Sequence, residues 1–571
     1  MDNKPSLSKY FGDTEVPPAS QFFDEIGTSP SDLIQSVYLG ENEGSQTTSN
    51  DLFPQNITTS FTQSNMSQET TFLNTLPTVS GATTIPTRNL PDPSTFFDTI
   101  GPEPQIGITK TTTTNPVTLS EAMEGLSIKN QPVDKEEQRR RDAWIPNEDA
   151  QKTLLKAQSS PKGSFFPERE ALTMPGIVLE EELADALQEV AVKYLGVSSA
   201  GTRGVVRAEH VSRDEGGLRE LLRTGYLRAA VNLTAVLLSA AGQGAGRMHR
   251  ATKHTPRSLQ LWLTRFAVML RLRLHEPLLK EAEPFGDFSK PDMFYQFYPD
   301  MYENRTGSLV PFSLRLLIAE LPGHAGKPDE AVDRLLALRQ VIQQMLLNLR
   351  DSKTEDGTKT LESEQDKAES IRLWTGRETR VQHSIVNCAI ALKDYRLAGK
   401  ILTGLQLQAN SPSQKRAIAS ALCRLWLLAG HVKAALIHLN VAREERHHLC
   451  PTPDVREYVD MGLLDIANGK YQEAYNNFVK AADQEPTNIM VANNIAVCLL
   501  YMGRLKEAIA VLQKAINSDP ERGLNESLLV NLCTLYELES SKTNEKKLNL
   551  LRMLCKYKSD TIPNVLECLK L

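Results

Sequence analysis

The stretch "GKYQEAYNNFVKAADQEP" at residues 469–486 recurs 34 positions later as "GRLKEAIAVLQKAINSDP" at residues 503–520. The shared positions include a glycine at the start of each stretch, alanines inside it and a proline at its end. Glycine and proline punctuate helices, and alanine lets two helices approach closely. The repetition therefore predicts a structural unit of two short helices rather than a catalytic motif.

A unit of this length matches the period of the tetratricopeptide repeat (TPR), in which each helix pair buries its face by stacking on its neighbours. Ala474 and Ala481 lie two helical turns apart on one face, where we expect helices to cross. Gly469 and Gly503 permit the turn between helices, and the prolines end the second helix. The residues predicted to pack the repeats are Gly469, Tyr471, Ala474, Phe478, Ala481 and Pro486 in the first copy, and Gly503, Ala508, Leu512, Ala515 and Pro520 in the second.

Weaker copies of the unit occur earlier in the chain. Apolar residues recur at helical spacing from residue 179 onward, without strand alternation, so the sequence predicts an all-α fold, a TPR-type α-solenoid. A final pair beginning at "ESLLVNLCTLYELES" lacks the central alanine and the terminal proline, as expected for a capping pair. The equivalent alanines of the weaker copies are Ala230, Ala331, Ala398 and Ala435.

The first 130 residues differ from the rest of the chain. They contain 15 acidic and 5 basic side chains, whereas the remaining 441 residues carry a net charge of +4. Ser, Thr and Pro dominate, and such a composition cannot bury enough apolar surface to fold. The predicted organisation is a disordered arm (1–130), anchoring segments and N-terminal helices (131–210), irregular TPR-like pairs (211–350), a flexible charged loop (351–370) and C-terminal TPR pairs with the capping pair (371–571).

Few residues suggest chemistry. His447, His448 and Cys450 lack a second cluster at metal-ligand spacing, and His383 with Cys388 fits ordinary core side chains better than a nucleophile pair. The glycine-rich stretch 240–250 links two predicted helices and follows no strand, so it is not a phosphate-binding loop. We therefore expect no enzyme activity, no catalytic residue, no metal and no cofactor.

Binding by a helical surface is the expected function class. In one TPR mode, Lys and Asn side chains on the first helices hold a C-terminal carboxylate, but the corresponding positions here are His383, Asn387 and Ser420, so that clamp is incomplete. A folded part of low net charge without a basic stripe argues against nucleic acid. A chaperone-linked adaptor that captures peptide tails remains the alternative function.

The N-terminal arm contains a second repetition. "SQFFDEIG" at 20–27 and "STFFDTIG" at 94–101 agree at six of eight positions. Each could form one helical turn with an apolar wedge, as in a segment that folds on docking to a trafficking partner. Chance recurrence and docking onto the chain's own solenoid are the alternatives. The candidate docking residues are Phe22, Phe23, Asp24, Ile26, Phe96, Phe97, Asp98 and Ile100.

Targeting signals are not evident. The N-terminus lacks a basic start followed by an apolar core, and no apolar run approaches the ~20 residues that span a bilayer. The seven cysteines are scattered in apolar helical stretches without C-x-x-C spacing, which is typical of reduced thiols in the cytosol. We therefore expect an intracellular protein without direct membrane insertion.

Several strings outside the repeats are distinctive: "RRDAWIP" (140–146), "LTMPG" (172–176), "EPFGDFSKPDMFYQFYPDMY" (283–302) and "GSLVPFSLRLLIAEL" (307–321). Together they resemble the subunit-twelve family of the transport protein particle (TRAPP) complex, and the resemblance covers 138–571. The resemblance implies a non-catalytic scaffold of a vesicle-tethering complex between endoplasmic reticulum and Golgi. It implies binding to other subunits, most of all the large arm subunits, possible contact of the arm with vesicle-coat components, an indirect link to a Rab-family GTPase, and a peripheral location at the intermediate compartment and Golgi.

Overall fold

The computed structural model describes residues 135–560 and 568–571, except residues 162–164, 166, 198–202, 304, 362, 451 and 541. These described residues form twenty α-helices joined by turns and short 3₁₀ segments. In this part of the chain, β-type pairing is limited to isolated bridges, such as the one between Ile177 and Ala245. The predicted all-α fold is confirmed, and the arm lies outside the described residues.

The described chain divides into two compact units. The N-terminal unit contains residues 135–401 and 551–560, and the C-terminal unit contains residues 402–550 and 568–571. The helices that begin in the N-terminal unit are α1 (Lys135–Asp142), α2 (Glu148–Ser159), α3 (Ala186–Leu195), α4 (Glu215–Thr224), α5 (Leu227–Ala240), α6 (Pro256–Arg271), α7 (His275–Ala282), α8 (Phe312–His324), α9 (Pro328–Arg350), α10 (Glu364–Ala391) and α11 (Tyr395–Gln408).

The C-terminal unit is a run of helix pairs, in which each helix as far as Pro520–Gly523 contacts the next. The first helices of the pairs begin at Pro412, Val455, Ile489 and Glu526, so the 34-residue period predicted from the sequence holds between the second and third pairs, and the other spacings are longer. The short helix Pro520–Gly523 lies between the last two pairs. The helices that begin in this unit are α12 (Pro412–Leu428), α13 (Val432–His447), α14 (Val455–Ala467), α15 (Tyr471–Gln484), α16 (Ile489–Tyr501), α17 (Leu505–Ser518), α18 (Pro520–Gly523), α19 (Glu526–Glu539) and α20 (Asn544–Tyr557).

The two helices of a pair begin in different ways. The first helix begins at a polar cap: the Asn488 side chain accepts a hydrogen bond from the Val491 backbone N–H in α16, at 3.1 Å. The second helix of the pair, for example α15 or α17, has no side-chain cap. It follows a glycine in the left-handed conformation, with φ of 72° at Gly469 and 76° at Gly503. Glycine adopts this φ without strain, which explains why both turns carry it.

The aromatic segment 283–311 forms part of the core of the N-terminal unit. It folds into three short 3₁₀ segments, and the rings of Phe285, Phe294 and Tyr295 are buried. Pro277 lies in the first turn of α7, where a missing N–H removes no intrahelical hydrogen bond. This region departs from the repeat pattern because its apolar side chains fill the core of the N-terminal unit.

Trp144 anchors the segment between α1 and α2 in the core of the N-terminal unit. Its ring is buried, lies 6.2 Å from the ring of Trp374, and is covered by the Arg315 guanidinium at 3.9 Å. Within the basic run Arg139–Arg141 of α1, Arg140 is not solvated. This side chain is buried and pairs with Asp366 at 3.1 Å and Glu369 at 2.7 Å.

The predicted flexible loop 351–370 is only partly a loop. Residues from Glu364 onward already belong to α10, with Ser363 as the N-cap. Within the remaining turn, the Glu355 side chain is buried and pairs with Arg139 at 2.5 Å. The high charge of this stretch therefore reflects ion pairing with α1, and the assignment of all twenty residues to an exposed loop needs correction.

A segment from the distant end of the chain completes the N-terminal unit. The Asp560 carboxylate accepts hydrogen bonds from the backbone N–H groups of Leu227 at 2.6 Å, Arg228 at 3.0 Å and Ala229 at 3.3 Å. These are N–H groups of the first turn of α5, which have no acceptor inside the helix. Arg203 pairs with Asp185 at 2.8 Å and donates to the Cys555 carbonyl. Residues 551–560 thus act as the cap of a helix that begins more than 300 positions earlier.

Candidate functional site

The repeat contact in the C-terminal unit is the site that the opening motif predicts. The ring of Phe478 in α15 packs directly on Gly462 in α14, so that a Cβ atom at Gly462 would lie 2.6 Å from the ring Cζ. Ala474 and Ala481 lie on the buried face of the same helix. The small residues therefore allow the two helices to approach each other, as the pattern indicates.

Sequence reasoning missed Gly462, although the repeat contains a signal for it. Thirty-four positions later, Ala496 replaces the glycine and Leu512 replaces Phe478. Both of these residues are buried. A slightly larger residue on the first helix thus accompanies a smaller one on the second, which is the compensation expected at a close-packed contact.

The structure assigns the other predicted packing residues to three environments. Tyr471 is half-buried and its ring stacks on Tyr501, with centroids 4.7 Å apart and an interplanar angle of 7°. Ala515 is half-buried, Pro486 is exposed after α15, and Pro520 is the first residue of α18. The fully buried positions are Ala230, Ala331, Ala398, Ala435, Ala474, Phe478, Ala481, Ala508 and Leu512.

Polar side chains on the first helices of neighbouring pairs bind one another. The Asp460 carboxylate in α14 accepts a hydrogen bond from the Ser420 hydroxyl at 2.5 Å and from Arg424 Nε at 2.7 Å, both in α12. All three side chains are buried. Ser420, one of the inner positions considered for a carboxylate clamp, is therefore already hydrogen-bonded within the unit.

A second ion-paired cluster joins α13 to α14. Arg446 Nε donates to the Glu457 carboxylate at 2.6 Å, and Arg443 donates to the same side chain at 3.1 Å. Arg446 also donates to the Cys450 carbonyl at 2.9 Å. Since the cluster fixes the turn after α13, it gives a structural role to the segment that carries His447, His448 and Cys450.

The candidate nucleophile pair, His383 and Cys388, lies in an environment that opposes reactivity. Burial lowers the pKa of His383 to about 3 and raises the pKa of Cys388 to about 12. At neutral pH the imidazole is uncharged and the thiol is protonated, so the two groups cannot form a thiolate–imidazolium pair. Among the described residues, no group of three His, Cys, Asp or Glu side chains could hold a metal ion.

Two further predictions concern the Phe-Phe-Asp elements and membrane insertion. The Phe-Phe-Asp elements at 20–27 and 94–101 lie outside the described residues. No helix in the described part of the chain is both long enough and apolar enough to cross a bilayer.

The model of the tetratricopeptide repeat family matches residues 465–528. This range includes α15, which carries Phe478, and the pair α16 and α17. Two full-length relatives extend the similarity far beyond the repeats. Trafficking protein particle complex subunit 12 of Mus musculus is 36% identical over 434 residues, which is 76% of this chain and 54% of the mouse protein. The protein of the same name from Homo sapiens is also 36% identical over 434 residues, and 58% of its length is covered.

Over 76% of its own length, the chain is similar to subunit 12 of the TRAPP complex. It spans little more than half the length of these curated relatives. A shorter similarity, 31% identity over 90 residues, links it to coatomer subunit epsilon-1 of Arabidopsis thaliana and covers 16% of this chain and 30% of that protein. The non-repeat strings that suggested the subunit 12 family from sequence include the aromatic segment that forms part of the N-terminal core.

Proposed function

We propose that this protein is a non-catalytic scaffold subunit of the TRAPP vesicle-tethering complex, acting in transport from the endoplasmic reticulum to the Golgi. Its TPR helices bind other subunits, most of all the large arm subunits, and its arm binds trafficking partners. The similarity to subunit 12 over 76% of the chain carries the proposal. As part of the complex, the protein is linked indirectly to a Rab-family GTPase. It reaches the Golgi region from the cytoplasm through its partners.

The internal contacts of the helices support a scaffold over a peptide-capturing adaptor. Ser420 and Arg424 on α12 already bind Asp460, at 2.5 and 2.7 Å. A carboxylate from a peptide tail would have to replace Asp460, which is buried with them. Exchange of one buried carboxylate for another offers little gain in free energy, so the chaperone-linked adaptor is the weaker candidate.

The second part of the proposal is that the arm binds vesicle-coat components. The two Phe-Phe-Asp elements lie on a segment with a net charge of −10. Two copies on one segment raise the effective local concentration of a weak docking turn. We therefore assign partner recruitment to the arm and subunit binding to the helices.

Affinity purification of the tagged full-length protein from cells tests this function. The proposal expects TRAPP subunits to co-purify in stoichiometric amounts by quantitative mass spectrometry. Ala474→Glu, which disrupts a buried helix contact, should reduce their yield, whereas Glu473→Ala at the exposed neighbouring position should not. Recovery of a heat-shock chaperone without TRAPP subunits would replace the scaffold with the adaptor.

A further inference from the structure

The loop between α5 and α6 is held in place by buried polar groups. The Gln243 side chain donates to the Lys253 carbonyl at 3.0 Å and accepts from Trp262 Nε1 at 2.7 Å. The backbone N–H of His254 donates to the Tyr298 hydroxyl at 3.2 Å. Gln243, His254 and Trp262 are fully buried, so both ends of the loop are anchored in the core of the N-terminal unit.

The middle of the loop is fixed by a neighbouring segment. The backbone N–H of His249 donates to the Met174 carbonyl at 3.1 Å. Gly176 lies so close that a Cβ atom there would be 2.2 Å from the backbone nitrogen of Met248. These contacts determine where the side chains of residues 247–253 project.

Three of those side chains form an exposed cationic surface, here called the basic loop: Arg247, Arg250 and Lys253. Within the described chain, none of the three forms an ion pair. Neighbouring arginines do: Arg257 pairs with Glu215, and the buried Arg265 pairs with Glu281 at 2.6 Å. The positive charge of the basic loop is therefore uncompensated, on a backbone that is held rigidly.

The complement of this charge lies elsewhere in the sequence. Residues 221–275 include nine Lys or Arg side chains and no Asp or Glu, and three of them pair with carboxylates outside this stretch: Arg223 with Glu220, Arg257 with Glu215 and Arg265 with Glu281. Residues 10–87 of the arm, here called the acidic segment, include nine Asp or Glu side chains and no Lys or Arg. We propose that the acidic segment binds the basic loop of the same chain.

The connection between the two is long enough for this contact. Forty-seven residues separate the acidic segment from the start of α1. Treated as a random coil, a linker of this length would have a root-mean-square span of about 40 Å. A compact unit of about 280 residues has a radius of gyration of about 19 Å. The tether therefore reaches around the unit and supplies an effective concentration on the order of millimolar, which suits a weak, charge-driven contact.

This contact adds regulation to the proposed function without depending on it. The first Phe-Phe-Asp element, with Asp24 and Glu25, lies inside the acidic segment. Binding to the basic loop would hold that element near the N-terminal unit and compete with its capture by a partner. The second element, at 94–101, lies outside the acidic segment and stays available. The contact also occupies the cations that would otherwise attract an anionic membrane surface.

Zero-length carbodiimide cross-linking of the purified full-length protein tests the contact, because it joins a lysine amine only to a carboxylate in direct contact. Lys253 is the reporter. The proposal expects cross-links from Lys253 to carboxylates of residues 10–87 in the monomer, with their loss in high salt. The double variant Arg247→Glu/Arg250→Glu keeps the reporter and should lose most of these cross-links. A control with the same change in charge, Lys433→Glu/Lys514→Glu, alters exposed residues of the C-terminal unit and should retain them.

Each other outcome overturns the proposal. Cross-links that persist in the double variant would show that charge does not drive the contact. A yield at Lys253 no higher than at the exposed Lys506 in the wild-type protein would show that the basic loop is not occupied. Cross-links between isotopically light and heavy chains in a mixed sample would show that the contact joins two copies of the protein. In another outcome, Lys253 forms no cross-links while phosphatidylserine-rich vesicles sediment the wild-type protein but not the double variant. That result would show that the basic loop binds a membrane surface. Thermal melting of both variants checks that they fold.

Discussion

The ring of Phe478 occupies the space where a side chain at Gly462 would begin, since a Cβ atom built at Gly462 lies 2.6 Å from the ring Cζ. Real Cβ atoms do not approach another carbon this closely, so α14 and α15 can keep their separation only with glycine at position 462 or with a smaller partner at 478. The next repeat has the second solution, with Ala496 and Leu512.

Gly462→Ala should therefore destabilise the C-terminal unit by about 1–3 kcal/mol, because overpacking forces side chains or backbone to move. Adding Phe478→Leu should recover part of the loss, giving a favourable coupling energy in a double-mutant cycle measured by urea unfolding. Gly404→Ala in α11 is the matched control, because a Cβ atom there meets nothing within 4 Å. It should stabilise by up to about 1 kcal/mol through helix propensity. Strict additivity of the Gly462 and Phe478 changes would argue against the steric contact.

Ala474→Glu and Ala508→Glu should each disrupt the stack of helix pairs. Both alanines are fully buried. The larger side chain costs roughly 1–3 kcal/mol in overpacking, and the buried unpaired carboxylate adds to it. We expect a lower melting temperature and loss of complex assembly. Ala510→Glu makes the same change at an exposed position of α17 and should melt like the wild type. Normal melting and assembly of both buried variants would mean that the repeat register is wrong.

Asp560 should make stability depend on pH. Burial, and to a smaller extent the charge of Asp185, raises the pKa of Asp560 to about 6 from 3.8, although the backbone N–H groups of Leu227, Arg228 and Ala229 oppose this shift. Arg203, which pairs with Asp185, is the nearby cation. The folded state thus binds this proton more tightly than the unfolded state does. The resulting stabilisation is fully present below about pH 3.8 and is lost as pH rises through about 6.

Urea unfolding between pH 4 and 7 measures this dependence. In Asp560→Asn, which keeps one acceptor oxygen, the free energy of unfolding should decline less steeply with rising pH than in the wild type. Asp560→Ala removes the cap and should cost about 0.5–2 kcal/mol. Identical pH dependence of the wild type and Asp560→Asn would mean that Asp560 does not titrate in this window.

Replacement of Phe22, Phe23, Phe96 and Phe97 by Ser should weaken recruitment of a trafficking partner while leaving thermal melting of the folded units unchanged. The two copies act together through effective concentration, so mutation of one pair should produce a smaller loss than mutation of both. Quantitative co-purification measures the partners retained by each variant. If the fourfold variant keeps every interaction and supports transport at the normal rate, the similarity of the two elements is a chance recurrence.

The sequence by itself determined the helix pairs and their period. Glycine in the left-handed turn at Gly469, alanine at the crossing at Ala474 and proline after the helix at Pro486 act through backbone geometry and side-chain size at their own positions. These local preferences recur 34 residues later, at Gly503, Ala508 and Pro520, and can be recognised without knowledge of any partner. The pattern also contained the exchange of Gly462 and Phe478 for Ala496 and Leu512, which becomes recognisable once the contact is known.

Only the tertiary structure decided which polar and aromatic side chains are buried. Arg140 resembles a solvated helix residue until Asp366 and Glu369 lie beside it, and the segment around Phe285 resembles a loop until its rings fill a core. Asp560 caps a helix that begins 333 positions earlier at Leu227. These contacts join residues far apart in the chain, and their free energy comes from charge pairing and burial that no local periodicity encodes.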